Sequence, residues 1–447
     1  MSTAVGNLLR RTIDVRDEEV AALLWSFAYH FLVLAAYFVI RPIRDQMGVD
    51  SGAQTLPWLF TGTLLGMVLL HPVFTALVAR YPRRVFVPWI YRFFILNLVV
   101  FFLLFRAADI VQSVWVGRLF FMWTSIFNLF IVSVFWSFLT DVFRPAQGKR
   151  LFGMVAVGGT IGAITGSSIT LFLVSFLGLV NLLLVSAVLL EGAGWASKML
   201  ERQEKKVYDV AERDREIVSG TVPGVVAPEQ RQQEVIGGGL LEGIRHVAKS
   251  PYLLGIAGLM VFYTVVSTFL YVHLIAIVET AYEGNPEGST RLFAVIEMAA
   301  QSLTLITQLF LTGRILKWFG IGLSLAFLPL VSLIGFGILG FASVLSVVVA
   351  FQVFRRAANF SVQRPAREVL YTVVPRVDKF KSKNFNDTAV YRFGDQVGIW
   401  SQSALMTGMG LSLAAIAWVM VPFSAAWLGL ALWLGWKYRH YGEDERV

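Results

Sequence analysis

The run Val20-Ala21-Ala22-Leu23-Leu24-Trp25-Ser26-Phe27-Ala28-Tyr29-His30-Phe31-Leu32-Val33-Leu34-Ala35-Ala36-Tyr37-Phe38-Val39-Ile40 contains no Asp, Glu, Lys or Arg. At about 1.5 Å per helical residue it is long enough to cross the roughly 30 Å of a bilayer's hydrocarbon. It is too long for a signal-peptide core and lacks a small-residue cleavage site after a short core, so it is expected to stay as a first spanning helix. The same ruler, applied outward along the chain, places further spans near residues 55–79, 85–105, 110–140, 150–176, 178–199, 251–279, 290–314, 320–341, 343–374, 384–409 and 411–437. With the first at 19–41, this predicts an all-α membrane protein of about twelve transmembrane helices.

Composition agrees. Fifty-six per cent of the 447 residues are hydrophobic and only 15% are charged, and the mean hydropathy of +0.67 exceeds what a water-facing surface tolerates. The 36 Phe and 13 Trp suit lipid-facing surfaces and interfacial belts, so the bilayer is the expected surrounding. Without cysteine, disulfides, thiol chemistry and Cys-based metal sites are excluded. The net charge of +9 does not point to nucleic acid, because Lys and Arg gather in alternate loops rather than in one stripe. Arg80, Arg83 and Arg84 follow the second span, Arg144, Lys149 and Arg150 the fourth, Arg314 and Lys317 the eighth, and Arg376, Lys379, Lys381 and Lys383 the tenth. The loops between are nearly free of Lys and Arg. By the positive-inside rule the basic loops and both termini are cytoplasmic, in the inner membrane.

The stretch 200–250 is the one long polar segment, opening Glu201-Arg202-Gln203-Glu204-Lys205-Lys206 and holding Gly237-Gly238-Gly239. It reads as a cytoplasmic linker or a docking segment for a protein partner. It separates an N-terminal six-helix bundle, 1–199, from a C-terminal one, 251–447. That layout resembles the major facilitator superfamily.

An ionisable group in hydrocarbon costs at least about 2.5 kcal/mol, so each one calls for a partner, a hydrated cavity or a function. Seven cations stand in or beside the spans: Arg41, Arg44, Arg92, Arg118, Arg355, Arg356 and Arg392. Against them stand Asp45, Glu191, Glu297 and Asp395. The excess of positive charge favours an anionic small-molecule substrate of more than one charge if these groups share a cavity. Arg355 and Arg356 are the sharpest pair, roughly 18 Å into their span. They project about 100° apart, so one is expected to face the cavity and the other a neighbouring helix. The alternative is a structural role, pairing with Glu297, Glu191 or Asp395. Arg392 and Asp395, three apart, are expected to pair locally. Glu297, His30 and Asp395 are the candidates for ion coupling, with packing or a structural hydrogen bond as the alternative for each.

Gly158, Gly162 and Gly166 recur every fourth residue within a span, which lets two helices approach closely. The segment follows no strand and lacks the Lys-Ser/Thr ending of a phosphate-binding loop. No nucleophile elbow, HExxH motif or metal cluster is present, and neither an enzyme nor a cofactor is expected.

Several segments are similar to the nucleotide transporter family of ATP/ADP translocases. Ile40-Arg41-Pro42-Ile43-Arg44-Asp45 resembles that family's Leu-Arg-Asp-Thr-Lys-Asp, with Arg44 in place of a substrate-binding lysine. Phe135-Trp136-Ser137-Phe138-Leu139-Thr140-Asp141 and Lys149-Arg150-Leu151-Phe152-Gly153 resemble Phe-Trp-Gly-Phe-Ala-Asn-Glu and the Lys-Arg-Phe-Tyr after it. Arg364-Pro365-Ala366-Arg367-Glu368-Val369-Leu370-Tyr371 resembles Asp-Pro-Cys-Lys-Glu-Met-Ala-Tyr, and Lys379, Lys381 and Lys383 echo its Lys-x-Lys-x-Lys. Where the family has Ala-Glu-Leu-Trp this chain has Trp123-Thr124-Ser125-Ile126, and Gly394-Asp395-Gln396-Val397-Gly398 stands at its Gly-Lys-Ser-Gly-Gly. The resemblance implies a fold like the major facilitators and a nucleotide or other phosphorylated substrate, with Lys381 and Lys383 joining the arginines in holding it. Two readings stand beside that one: a proton-coupled exporter of a hydrophobic or amphiphilic compound, and a membrane partner without transport.

Overall fold

The computed structural model describes residues 15–81, 83–107, 110–143, 145–221, 247, 250–375, 382–383 and 385–444. Twelve helices follow one another, with no strand among the described residues. They are α1 (Asp17–Asp50), α2 (Leu56–Arg80), α3 (Arg83–Ala107), α4 (Ile110–Val142), α5 (Pro145–Leu177) and α6 (Leu182–Thr221), then α7 (Pro251–Ala281), α8 (Pro286–Phe310) and α9 (Thr312–Phe341). The tenth helix, α10, is composite: Leu345–Ala358 passes through a π-helical turn, Asn359–Gln363, into Arg364–Leu370. Helix α11, Tyr391–Ser403, lies between two more π turns, Asn386–Val390 and Ala404–Gly408. Helix α12 is Leu413–Asp444.

Ten of these helices are long and apolar enough to cross a membrane by length and composition. The other two of the expected spans, 343–374 and 384–409, are α10 and α11, which π turns divide. Wide turns of this kind mostly occur as single insertions and are frequent at functional sites. In α9 the chain breaks at Gly320 (φ 70°, ψ 178°), a left-handed conformation that glycine adopts without a Cβ clash. The apolar part of α9 begins there, where the sequence places the span. Beyond its apolar part α6 continues as helix to Thr221, so the first part of the polar stretch 200–250 is helical. Most of the rest lies outside the described residues.

The chain divides into two compact units. The first takes the described residues of Met1–Met47, Leu65–Glu234 and Thr290–Met298; the second takes Gly48–Leu64, Val235–Ser289 and Ala299–Val447.

The first unit packs around α1. A Cβ on Gly158, Gly162 or Gly166 would run into the backbone carbonyl oxygen of Phe27, Phe31 or Ala35 respectively. The glycine row therefore seats α5 directly on the backbone of α1, one turn per glycine. Thr170 Oγ1 donates to the Val39 carbonyl at 2.7 Å and Ser186 Oγ to that of Ala36 at 2.8 Å. Both hydroxyls thus find acceptors inside the packed unit. An aromatic stack of Phe94, Phe101, Phe120, Trp123 and Phe127 fills the space between α3 and α4.

The second unit packs around α7. Gly394 and Gly398 of α11 rest against Thr264 and Thr268 of α7. His273 places Nδ1 2.9 Å from the Phe269 carbonyl oxygen and Nε2 2.9 Å from that of Leu413. A neutral ring has one N–H to donate, and the Leu413 contact sets α7 against the start of α12. Gly48–Leu64 is held within this unit by its own bonds. The Ala53 amide donates to Glu279 at 3.1 Å, Thr61 Oγ1 donates to Gln396 at 3.0 Å, and Trp400 Nε1 donates to Thr61 at 3.2 Å.

Candidate functional site

Along α10 the residues Gln352, Arg355, Arg356, Asn359, Gln363 and Arg367 follow at helical spacing, and all six are buried. Gln352, Arg355, Asn359, Gln363 and Arg367 follow in steps of three and four on one stripe, and Arg356 projects about 100° from Arg355 beside it. A buried polar stripe thus runs along α10 past the π turn. The turn itself leaves carbonyl oxygens outside the usual ladder, and neighbouring side chains take two of them. Gln308 Nε2 donates to Phe360 O at 3.1 Å, and Thr312 Oγ1 donates to Ser361 O at 2.7 Å.

The stripe faces α7. Asn359 Nδ2 donates to the Tyr263 hydroxyl at 3.0 Å, and the Arg355 guanidinium carbon lies 5.9 Å from the Tyr263 ring centroid. The Tyr391 ring stands 6.2 Å from that of Tyr263. One turn on, Arg392 Nη1 meets Asp395 Oδ2 at 3.3 Å, the local pair expected from their spacing. Toward the other end, Arg367 packs on the sulfur of Met260 and lies 3.7 Å from Asp387, and Tyr252 donates to the Leu370 carbonyl at 2.8 Å.

Arg355 is the exception in this set. It is 3% exposed, yet Nε and Nη1 have no hydrogen-bond partner. Burying a donor without an acceptor costs about 1 to 3 kcal/mol, and more when the group is charged. The other buried groups left wanting partners in this unit are the amides Gln352 Oε1, both polar atoms of Gln363 and Gln402, and Asn386 Oδ1, together with Ser424 Oγ and Trp427 Nε1 on α12. Charge-based reading of the sequence passed over these neutral residues. The signal that would have found those on α10 is the polar stripe at i, i+3/i+4 within an apolar run.

Residues 23–362 match the Major Facilitator Superfamily. The chain belongs to that superfamily. Three solved structures share its fold. A bacterial homolog of the human lysosomal transporter Spinster, inward-facing and unoccupied, aligns with a TM-score of 0.52 at 14% identity over 95% of this chain and 94% of that one. A bacterial metal transporter gives 0.56 at 14% identity over 95% and 99%. A bacterial homologue of the iron transporter ferroportin, inward-facing, gives 0.56 at 15% over 94% and 98%. At such identities the likeness carries the fold alone. No curated protein matches the sequence. As a major facilitator the chain is a multi-pass membrane transporter and not an enzyme.

The remaining sequence-derived candidates of this facilitator are distributed as follows. In the first unit Arg41 Nε lies 3.1 Å from Glu297 Oε1, and Arg41 also lies over Tyr37 and Phe38. Arg44 pairs with Asp45 at 2.8 Å and sits 3.9 Å from the centroid of Phe121. Arg92 is exposed on α3. Arg118 is half-buried above Trp115, its Nε without a partner. His30 is buried, bonded to the Val155 carbonyl at 2.8 Å and stacked on Phe135 at 4.2 Å. Glu191 is exposed. In the second unit Lys383 meets Glu368 at 2.5 Å; Lys381 lies outside the described residues. A residue the sequence reading passed over is Glu19, fully buried at the start of α1, where Arg150 Nη2 and Gln147 Nε2 both donate to it at 2.9 Å. It precedes the apolar run, so hydropathy alone gave no reason to place it inside.

Proposed function

We propose that this facilitator is a secondary transporter that moves an anionic solute by alternating access, and that Arg355 holds the solute's charge. The observation that supports this is the contrast between Arg355 and the cations that have an acid beside them. Arg41, Arg44, Arg150, Arg367, Lys383 and Arg392 each lie within 4 Å of a carboxylate, whereas Arg355 is buried with two nitrogen atoms lacking acceptors. A guanidinium offers five donors in a planar fork that suits carboxylate and phosphate. An anion entering the site would supply the missing acceptors, and Tyr263, Asn359 and Tyr391 would border it. The finer reading, a nucleotide or other phosphorylated solute, rests on the motif resemblance in both halves of the sequence. We further place the protein in the inner membrane with both termini cytoplasmic, on the strength of the basic loops.

Because a ligand that binds only the folded state raises its stability, thermal shift of the purified protein with ATP, ADP, sugar phosphates and organic acids tests the reading. Anion-induced stabilisation is expected in the wild type, absent in Arg355→Gln and partly kept in Arg355→Lys. Equal stabilisation of wild type and Arg355→Gln would sink it. Stabilisation by amphiphiles alone would move the function to export of such compounds.

A further inference from the structure

We propose that the solute held at Arg355 is a monoanion with hydroxyl or amide groups along its length, and that Gln352, Gln363 and Gln402 read those groups. The proposal rests on the assignment of Arg355 as the anion-holding residue.

Two observations within the second unit lead to it. The first is charge. Arg367 has Asp387, Lys383 has Glu368 and Arg392 has Asp395, and Arg356 is engaged in interactions of its own. Arg355 alone among these cations has buried nitrogens without partners. One guanidinium balances one negative charge. The excess of arginines in the sequence suggested a multiply charged solute, but only Arg355 among these cations keeps buried nitrogens open to an anion, which favours one negative charge over the several of a nucleotide.

The second observation is the chemistry of the unsatisfied glutamines on α10 and α11. Gln363 and Gln402 are each 1% exposed, and in both neither the amide oxygen nor the amide nitrogen has a partner; Gln352 Oε1 is likewise without one. An amide oxygen accepts only from a donor. A carboxylate or a deprotonated phosphate has none to give, whereas a hydroxyl or an N–H does. These amides therefore fit a solute whose body donates as well as accepts. Their placement suits an elongated one. Gln352 lies one turn before Arg355 and Gln363 two turns after it, about 16 Å from end to end along the helix. Gln402 continues the row of Gly394 and Gly398 on the face of α11 that packs against α7.

Lactobionate, a disaccharide acid with one carboxylate, is the probe; lactose supplies the same kind of body without charge, hexanoate the charge without hydroxyls, and ATP several charges. Affinities are measured on the full-length protein in nanodiscs by calorimetry. Lactobionate is expected to bind at least tenfold tighter than the other three. Arg355→Gln should bring it down to the level of lactose. The double variant Gln352→Leu with Gln363→Leu should weaken lactobionate at least tenfold while leaving hexanoate unchanged, and Gln402→Leu, made separately, should do the same in smaller measure. If ATP binds tightest, or if hexanoate equals lactobionate and no glutamine variant distinguishes them while Arg355→Gln still abolishes anion binding, this inference fails and the Arg355 assignment stands. If Arg355→Gln changes nothing, or no probe binds, both fall.

Discussion

At the scale of single residues, the chain shows how differently one charge type is treated by its surroundings. Arg92 faces outward, Arg41 leans on Glu297 and two aromatic rings, and Arg355 is buried with donors to spare. Glu19 is the opposite case, a buried carboxylate with two cationic or amide donors on it. Removing one member of a buried ion pair leaves the other uncompensated, which costs about 3 to 5 kcal/mol. Arg150 is 22% exposed, so part of that cost is relieved by water. Glu19→Ala is expected to destabilise the protein by about 2 to 3 kcal/mol, seen as a lower thermal midpoint. Glu19→Gln, which keeps a hydrogen-bond acceptor, should recover part of the loss. An unchanged midpoint in Glu19→Ala would show the pair to be energetically neutral. Arg355 and Arg356 were legible as candidates because two arginines in an apolar run cannot be overlooked. The amides were not, since glutamine carries no charge and its value depends on which partners the fold withholds.

Elements carry two further expectations. The glycine row of α5 leaves no room for a methyl group where it crosses the carbonyl oxygens of α1. Backbone cannot step aside as a side chain can, so Gly162→Ala should force the two helices apart at a cost of about 1 to 3 kcal/mol. Gly153, on the same helix but with open space where its Cβ would lie, is the control, and Gly153→Ala should leave thermal unfolding unchanged. The spacing of the glycines made this seam readable in sequence; which helix it meets was not. The π turn of α10 was invisible to hydropathy, because an extra residue in a turn changes hydrogen bonding and not composition. Thr312→Val removes the donor to Ser361 O while preserving side-chain shape. It is expected to lower stability by about 1 kcal/mol, the net worth of an ordinary hydrogen bond. A variant as stable as wild type would mean that the freed carbonyl finds another donor.

For the molecule as a whole, the lack of cysteine makes orientation directly measurable. Single cysteines at Glu283, between α7 and α8, and at Arg80, at the end of α2, would each carry the only thiol in the chain. An impermeant thiol reagent applied to intact spheroplasts should label Glu283→Cys, and Arg80→Cys only after permeabilisation. The reverse pattern would invert the topology drawn from the basic loops. Membership of the Major Facilitator Superfamily agrees with the all-helical membrane fold that the apolar spans had suggested. The two compact units do not follow the chain in simple halves, since Gly48–Leu64 groups with the second and Thr290–Met298 with the first.

An all-helical membrane protein, the rough positions of its spans and the glycines that form a seam could all be read from the chain's order of residues. These properties follow from local hydrophobicity and helical period, and each is written within a window of about twenty residues. Which arginines stand beside acids, and that Arg355 is buried with partnerless nitrogens, came from the fold alone. It also decided that α10 and α11 are interrupted by π turns, and that a set of glutamines lies buried with unused hydrogen-bonding atoms. The physical reason is that electrostatic and hydrogen-bond partners are set by distance in space: Glu297 lies more than two hundred residues from Arg41 in the chain and 3.1 Å from it in the fold.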